Sequence, residues 1–269
     1  MSDRKRDERI AIMLALLSQR GELQVRFLPK SLGVSGATVR RDLAVMEETG
    51  LVRRTYGKIT ATRRGAELPV SLRHSQNTEA KRRIGALVSS LIPSRPLVVA
   101  LSGGSTVGFV AKSLAARPGL TVVTNGLDTA ASLMVRQLVQ VVVTGGTARS
   151  LSNDLVGKET EKWLRSYHFD YAVVGADGVS PEAGFTRHSK RGAEIDRIML
   201  EQADHKMIVA DSSKLGRVRQ AKIADIGAVH TLVTDSQANA AMIAALRKVG
   251  VMTTTVVVPA SGSDRGRGR

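Results

Sequence analysis

The chain has 269 residues, with 40 Lys or Arg against 24 Asp or Glu and a formal net charge of +16 at pH 7. Hydrophobic residues make up 42%, which excludes general disorder, and the lack of cysteine excludes disulfides, thiol nucleophiles and cysteine-bound zinc. No apolar run approaches the ~18 residues of a membrane span and the N-terminus lacks a secretory pattern, so we expect a cytoplasmic protein.

The first 60 residues carry three apolar stripes with helical spacing, each followed by a glycine that can end a helix. The stripes run from Ile10 to Leu17, from Phe27 to Leu32 and from Val39 to Met46. The basic segment that follows, Leu51–Ile59, suits a short hairpin with Gly57 near its turn. Three short helices and a basic hairpin predict a winged helix-turn-helix domain over residues 1–60.

Residues 61–78 are polar and mixed in composition, and we predict a linker there. Residues 79–258 alternate short β-rich runs with helical stretches, which predicts an α/β domain with a mostly parallel sheet covered on both faces. We expect residues 259–269 to form a disordered basic tail, because Ser261–Arg269 contains only Gly, Ser, Arg and Asp. The predicted strands are Leu97–Leu101, Thr121–Thr124, Val139–Val143, Tyr171–Val174, Met207–Ala210, Thr231–Thr234 and Thr253–Val257. The predicted helices are Glu79–Leu91, Thr106–Ala115, Gly192–Gln202 and Ala238–Val249.

The excess of positive charge favours a polyanionic partner. Residues 1–64 hold 14 Lys or Arg and 7 Asp or Glu, so the first quarter of the chain carries nearly half of the excess. Aromatic residues make up only 3%, which argues against a protein that stacks on single-stranded bases. A basic but otherwise ordinary surface is the alternative, and duplex DNA is the better candidate partner.

The segment Val34–Leu43 predicts a DNA-recognition helix. Ser35 can cap its N-terminus, and when the apolar residues face inward, Ala37 and Arg41 fall on the opposite face. A small residue at 37 permits close approach to the groove floor, while Arg41 can reach base edges or phosphates. Basic residues of the hairpin would clamp the adjacent backbone. The candidate DNA contacts are Ser35, Ala37, Thr38, Arg40, Arg41, Arg53, Arg54 and Lys58.

The first predicted strand of the larger domain leads into Ser102-Gly103-Gly104-Ser105-Thr106, where helical spacing begins. Glycines let backbone N–H groups converge, hydroxyls add donors, and a helix N-terminus favours negative charge. The spacing fits neither a P-loop nor a dinucleotide-binding turn, so it predicts a compact phosphate site. A strand-to-helix turn without a ligand is the alternative.

Polar or glycine-rich groups also follow other predicted strands, at the edge where open α/β sheets bind ligands. These groups are Thr124-Asn125-Gly126, Thr144-Gly145-Gly146, Gly175-Ala176-Asp177-Gly178, and Asp211 with Lys214. Their convergence supports a ligand site more strongly than any one of them does alone.

Together these motifs resemble the DeoR family of bacterial transcriptional regulators. The first domain carries the resemblance through Val34-Ser35, Thr38-Val39-Arg40-Arg41-Asp42-Leu43, Glu47 and Gly50-Leu51-Val52-Arg53. The second domain carries it through the strand-end groups and Lys81, so that the resemblance covers about Arg9 to Val257. It implies a winged helix-turn-helix joined to a sugar-phosphate-sensing domain related to ribose-5-phosphate isomerase.

The resemblance also implies roles for individual residues of the larger domain. A phosphate would be held by Lys81, Ser102, Gly104, Ser105 and Thr106. The sugar hydroxyls would lie near Thr124, Asn125, Asp177 and Lys214. Gly103 and the turn Gly145-Gly146 complete the candidate effector contacts.

The chain departs from the family pattern at several positions. Pro29 lies in the second helix, and the wing reads Tyr56-Gly57-Lys58 instead of ending in His-Gly-Gly. In the larger domain Ser102, Gly192 and Asp196 stand where Asp, Glu and Lys are common. These departures leave open the shape of the second helix, the wing contact and the identity of the sugar.

A sugar-phosphate isomerase is the alternative function, because the related isomerases move a proton between carbons with a carboxylate base. Asp177 keeps the first carboxylate of their motif, but Ser180 replaces the second, and Glu182, His188 and Glu194 lie downstream as substitutes. The spacing of His, Asp and Glu indicates no metal site, and we expect no cofactor.

A DNA-binding domain attached to such a site favours a regulator without enzymatic activity. We therefore expect a repressor of carbohydrate-metabolism genes that binds an operator duplex and responds to a phosphorylated sugar or polyol. A purely structural nucleoid protein would leave the strand-end groups unexplained. Because helix-turn-helix proteins commonly bind paired half-sites, we also expect a homo-oligomer.

Overall fold

The computed structural model describes residues 2–62 and 67–257, and the chain divides into two compact units between Gln76 and Asn77. Part of the predicted linker, residues 63–66, and the predicted basic tail lie outside the described residues. Within the described part of the chain, no helix has the length and apolar character that a membrane span requires.

The first unit has the predicted winged helix-turn-helix architecture. Its three strands form an antiparallel sheet in the order β1-β3-β2. A short 3₁₀ turn, Val25–Phe27, precedes the second helix. The elements are α1 (Ser2–Arg20), β1 (Glu22–Gln24), α2 (Leu28–Leu32), α3 (Gly36–Glu48), β2 (Val52–Thr55), β3 (Lys58–Ala61) and α4 (Val70–Ser75).

The three predicted apolar stripes form the core of this unit, except that Phe27 of the second stripe is exposed. Met13, Val39 and Leu43 are fully buried there, each contributing roughly 1.5–3 kcal/mol relative to an exposed position. Leu72 of α4 belongs to the same core. The prediction of a linker over residues 61–78 is therefore corrected, because this range contains a packed helix that is too short to show a periodic pattern.

Two local features follow from special backbone residues. Pro29 lies in the first turn of α2, where its missing N–H costs no helical hydrogen bond, and α2 ends after five residues at Gly33. In the wing, Tyr56 and Gly57 have φ values of 42° and 77°. Two consecutive positive values are typical of the tight turn that suits the twist of a two-stranded hairpin.

The second unit is built on a seven-stranded sheet whose strands are all parallel, in the order β15-β14-β12-β9-β4-β5-β6. Each of the seven strands predicted from the sequence corresponds to one strand of this sheet. The helices are α5 (Thr78–Leu91), α6 (Ser105–Leu114), α7 (Leu127–Met134), α8 (Lys158–Arg165), α9 (Lys190–Glu201) and α10 (Ala240–Lys248). The strands of the large sheet are β4 (Leu97–Leu101), β5 (Leu120–Thr124), β6 (Gln140–Val143), β9 (Phe169–Gly175), β12 (Ala203–Val209), β14 (Thr231–Asp235) and β15 (Met252–Val256).

Two small antiparallel sheets, which were not predicted, lie outside the large one. A hairpin joins β7 (Thr147–Arg149) to β8 (Asp154–Val156), and three strands pair in the order β10-β11-β13, which are Gly178–Ser180, Gly184–Arg187 and Ala221–Ala224. These strands have only three or four residues, and alternation over so few positions is a weak signal. Along the chain, β7 follows β6, β10 follows β9 and β13 follows β12. The small sheets therefore come after the carboxyl ends of strands of the large sheet.

The order of the strands indicates where a ligand would be expected to bind. The chain passes from β4 outward through β5 and β6, and then returns to the other side of β4 to form β9, β12, β14 and β15. The sheet is buried on both faces by two apolar clusters. In open α/β sheets, ligands bind outside the carboxyl ends of the strands where the order reverses. Here that point lies between β4 and β9.

Candidate functional site

The recognition helix α3 begins with the predicted cap. The Ser35 hydroxyl accepts a hydrogen bond from the Thr38 backbone N–H at 3.2 Å, and the two side-chain oxygens lie 3.0 Å apart. This cap satisfies one of the N–H groups that a first helical turn leaves without an intrahelical partner. Both hydroxyls therefore lie at the positive end of the helix dipole, where a phosphate is favoured.

Opposite faces of α3 carry the core and the candidate DNA contacts. Val39 and Leu43 are fully buried, whereas Ala37, Arg40 and Arg41 are exposed. The exposed face thus combines a small side chain, which permits close approach to a groove floor, with two long cationic side chains.

An ion pair that the sequence analysis did not predict ties α3 to α1. The Arg9 guanidinium donates to both oxygens of Asp42, with Nε–Oδ2 at 2.6 Å and Nη2–Oδ1 at 3.0 Å. The hydrogen bond to Asp42 raises the pKa of Arg9. Because Asp42 is only 2% exposed, the pair sets the orientation of the recognition helix against α1.

The wing carries its cations on both faces of the hairpin. Successive strand residues point to opposite faces, so Arg53 and Arg54 do not share one, although both are exposed. Lys58 donates to Glu22 at 2.8 Å in an exposed ion pair. Such a pair contributes about 0–1 kcal/mol, so a DNA phosphate can compete with Glu22 for Lys58. Tyr56 at the turn is fully exposed.

In the second unit, the loops after β4 and β9 meet at the reversal of strand order. The Gly175 N–H donates to Ser102 Oγ at 3.2 Å, and Ser102 Oγ donates to the Gly103 carbonyl at 3.2 Å. Ser102 is fully buried. Its side chain therefore joins the ends of β4 and β9, and its role as a phosphate contact stays a prediction.

Asn125, at the end of β5, has a similar place. Its Oδ1 accepts from the Gly103 N–H at 3.2 Å, and its Nδ2 donates to the Leu155 carbonyl at 2.9 Å. A Cβ at Gly103 would lie 2.8 Å from Asp154 Cβ, so only glycine fits there. Asn125 and Gly103 thus fix the framework of the site, and their contacts with an effector stay a prediction.

The rest of the anion loop, by which we mean residues 102–106, opens at the N-terminus of α6. Gly104 has a φ of 118° and is partly exposed. Ser105 and Thr106 form the first turn of α6 and are 6% and 8% exposed. Because the N–H groups of a first helical turn lack intrahelical acceptors, Gly104, Ser105 and Thr106 remain as the candidate anion contacts.

The predicted contacts after β5 and β6 stabilise turns. The Gly126 N–H donates to Thr124 Oγ1 at 3.0 Å, and Thr160 of α8 donates to the Gly145 carbonyl at 2.6 Å. A Cβ at Gly146 would overlap Thr160 Oγ1. Thr124 is fully buried, whereas the two glycines are exposed beside the start of α8.

Asp177 lies just beyond β9 and is held by backbone contacts. Its Oδ2 accepts from the His188 N–H at 3.2 Å, and its own N–H donates to the Thr186 carbonyl at 2.9 Å. It is 7% exposed. Since Gly175, two residues earlier, contacts Ser102, Asp177 adjoins the anion loop and remains a candidate sugar contact.

Three further ionisable residues meet at the end of β12. Asp211 Oδ2 lies 4.0 Å from the Nζ of buried Lys81, and Asp211 Oδ1 accepts from Asn77 Nδ2 at 2.9 Å. Burial acts to raise the pKa of Asp211, but the charges of Lys214 and Lys81 and hydrogen bonds from Ser213 and Asn77 hold it below its ordinary value. Lys81 therefore balances Asp211, and half-buried Lys214 is the cation nearer solvent.

The carboxylates considered as a catalytic base are engaged elsewhere. The Ser180 hydroxyl donates to Glu182 at 2.5 Å, and this bond lowers the pKa of Glu182. Glu194 lies on α9, 2.5 Å from Arg197 and 3.8 Å from Arg165. A lowered pKa makes Glu182 a weaker proton acceptor than an ordinary carboxylate.

A buried ion group behind the anion loop was not predicted from the sequence. It consists of Arg149, Asp154, Arg187 and Asp196, of which the last three are at most 4% exposed. Its members come from three strands and a helix, so no spacing along the chain could have indicated it. Across the described part of the chain, no cluster of His, Asp and Glu has the arrangement of a metal site.

The fold and these two sites define a DNA-binding regulator with a ligand-sensing domain. Family models match both units: the DeoR-like helix-turn-helix domain over residues 9–64 and the DeoR C terminal sensor domain over residues 76–236. The chain belongs to the DeoR family of transcriptional regulators.

Two transcriptional repressors are similar to this chain over nearly its whole length. The HTH-type transcriptional repressor GlcR of Bacillus subtilis (strain 168) is 32% identical over 91% of this chain and 94% of its own length. The glycerol-3-phosphate regulon repressor of Escherichia coli (strain K12) is 28% identical over 86% of this chain and 92% of its own. Among solved structures, ribose 5-phosphate isomerase A from Methanocaldococcus jannaschii matches 52% of this chain and 55% of its own, with 18% identity and a TM-score of 0.40.

Proposed function

We propose that this regulator represses carbohydrate-metabolism genes by binding operator DNA, and that a small phosphorylated sugar or polyol at the carboxyl edge of the large sheet alters that binding. The observation that carries the proposal is the opening of the anion loop. Gly104, Ser105 and Thr106 stand at a helix N-terminus, at the reversal of strand order. Backbone donors at a helix N-terminus are suited to a phosphate.

The DNA side of the proposal rests on α3 and the wing. The exposed face formed by Ala37, Arg40 and Arg41 would enter the major groove, where Arg can donate to guanine in a bidentate manner. Arg53, Arg54 and Lys58 would contact phosphates. Base contacts would supply operator specificity, and phosphate contacts would supply affinity that depends on salt.

The effector side rests on charges at the strand ends. With its phosphate on Gly104–Thr106, a sugar would extend toward Asp177, whose carboxylate can accept from hydroxyl groups. Lys214 would add positive charge from the end of β12. The name of one relative, a glycerol-3-phosphate regulon repressor, agrees with a small phosphorylated polyol as the ligand class.

We also propose that the chain acts as a homo-oligomer and without catalysis. Helix-turn-helix proteins commonly use two copies to bind paired half-sites, which supports an oligomer. The absence of turnover is supported by Ser180 and Glu182: the first cannot act as a base at neutral pH, and the second has a lowered pKa.

The test is fluorescence anisotropy of the full chain on DNA from upstream of its own gene. The titration uses ~0.15 M salt, excess random duplex as competitor, and a panel of sugar phosphates. We expect binding that resists the competitor and that one sugar phosphate shifts. Complete loss to the competitor, together with turnover of a sugar phosphate, would replace the proposal by the isomerase.

A matched pair of variants tests the anion loop. Ser105→Asp places a negative charge at the start of α6 and should abolish the effector response while leaving operator affinity unchanged. Ser105→Asn changes the size of the side chain without the charge and should retain most of the response. Equal responses of both variants and the unmodified chain would rule out a phosphate at this position.

A further inference from the structure

The centre of the buried ion group is the Arg187 guanidinium. Its Nη2 donates to Asp154 Oδ2 at 2.8 Å, and its Nη1 donates to Asp196 Oδ2 at 2.5 Å and to the Gly192 carbonyl at 3.3 Å. Arg187 thereby joins β11 to β8 and to α9. A buried ion pair contributes little to stability, because the cost of desolvation opposes the attraction. The geometry of this group therefore favours a role in fixing the positions of the elements that it joins.

The first turns of α9 leave space for this guanidinium. A Cβ at Gly192 would lie 3.2 Å from both Cζ and Nη1 of Arg187 and 3.3 Å from its Nε. A Cβ at 192 would therefore require the Arg187 guanidinium to shift by a few tenths of an ångström. The chain thus combines Arg187, Gly192 and Asp196 as one packed unit.

Asp154 connects this unit to the anion loop. Its Cβ would lie 2.8 Å from a Cβ at Gly103, and its backbone pairs with Gly126 after β5. Its Oδ1 accepts from Arg149 Nη1 at 3.4 Å and from the Ser152 hydroxyl. Any shift of Asp154 would be transmitted to the backbone just before Gly104.

The charge balance of the group is held by two cations and two carboxylates. Burial raises the pKa of Asp196 to about 7, Arg187 of β11 opposes that rise, and Asp154 and Asp177 add to it. Asp196 Oδ1 is buried without a hydrogen-bond partner among the described residues. Protonation of Asp196 removes one negative charge, so that Asp154 is the only charged carboxylate left in the ion group. The net charge of the region behind the anion loop then rises by one.

We propose that Arg187 is a positioning residue of the effector site, which sets the place and the charge of the anion loop through Asp154 and Asp196. This inference rests on the proposed function. It predicts that an anion binds more tightly when Asp196 is neutral. The effect should be about three- to tenfold, because the charges are separated by a polar interior and partly screened.

The test is isothermal titration calorimetry of the full chain with inorganic sulfate, whose charge does not change between pH 6 and pH 8. For the unmodified chain we expect affinity to rise as the pH falls from 8 to 6. Asp196→Asn should bind at pH 8 as the unmodified chain does at pH 6, and should lose that part of the pH dependence. Arg187→Lys should weaken binding by about tenfold, since an ammonium cannot reach both carboxylates with a planar pair of donors.

His188, which follows Arg187 in the chain and whose N–H donates to Asp177, is ionisable and needs its own control. The titration is repeated with His188→Gln and with His188→Gln combined with Asp196→Asn, so that the change due to Asp196 is measured on a background without the imidazole. Asn is nearly isosteric with Asp, so Asp196→Asn tests the positioning role by itself if Arg187→Lys does not fold.

The outcomes separate this inference from the proposed function. Unchanged affinity and pH dependence in Asp196→Asn and Arg187→Lys would overturn the positioning role while leaving the anion site in place. No sulfate binding by the unmodified chain at either pH would overturn the anion site and the inference with it.

Discussion

The two units of this regulator place their functional side chains differently. On the DNA-binding unit, Ala37, Arg40 and Arg41 project from a helix whose other face is the core, and they are exposed. In the sensor unit, Ser102 and Asn125 are fully buried and their polar atoms contact backbone groups. A surface for a polymeric partner needs exposed side chains on a fixed scaffold, whereas a small anion needs backbone donors whose positions are set by buried side chains.

The contrast between the two units would fail if the DNA-binding unit kept its stability without the ion pair between Arg9 and buried Asp42. Arg9→Met leaves the Asp42 carboxylate buried without its bidentate partner. We expect the free energy of unfolding of this unit to fall by about 3–5 kcal/mol, and operator binding to weaken with it. Urea denaturation measures the loss, with Arg26→Met as a control at an exposed position. A change of less than ~1 kcal/mol would show that the pair does not orient α3.

The sensor unit offers a smaller effect with a pH signature. Asp211→Asn removes a carboxylate that accepts hydrogen bonds and faces Lys81. We expect it to lower the free energy of unfolding by about 2 kcal/mol at pH 7. The folded-state pKa of Asp211 is lowered, so its contribution is present above the unfolded pKa of about 3.9 and is lost as the pH falls through the folded value. The stability difference between the two chains should thus shrink below pH 4. A difference that grows in acid would contradict the lowered pKa.

Exposed contacts should change binding without changing the fold. Arg41→Ala should weaken operator binding by about 1–3 kcal/mol if the guanidinium reads a base edge, and random DNA by much less. Arg20→Ala removes the same charge from the end of α1 and serves as the control. Equal losses on operator and random DNA would make Arg41 a phosphate contact.

The smallest effect is expected at the wing. Because Lys58 is shared with Glu22, Lys58→Ala should cost less than about 1 kcal/mol in DNA affinity and should reduce the slope of affinity against salt by about 1. Anisotropy titrations from 0.05 to 0.3 M salt measure both. An unchanged slope would remove Lys58 from the DNA contacts.

The sequence predicted most of the fold because long, buried elements impose clear periods. The seven parallel strands and the recognition helix are such elements. The helix Val70–Ser75, the eight-residue helices α7 and α8 and the small sheets were not predicted, since a short segment shows its period only weakly.

The candidate sites were predicted unevenly. The exposed face of α3 follows from helical spacing, and the anion loop follows from its glycines and hydroxyls. The sequence could not tell which polar residues of that loop point into the protein. Ser102 was predicted to contact the ligand, and in the structure its buried hydroxyl joins two loops. The partners of Arg187 lie 33 and 9 residues away, on elements whose contact depends on the complete fold.

The division of the sensor site among separate strand ends has an evolutionary consequence. The framework side chains, Ser102 and Asn125, lock the backbone near β4 and β5, whereas Asp177 and Lys214 come from loops after β9 and β12. Under the proposed function, a mutation in one of the latter loops would alter which hydroxyl pattern is accepted without disturbing phosphate binding at the anion loop. Descendants of one ancestral chain would then change effectors by substitutions in a single loop, while the proposed phosphate site stays the same.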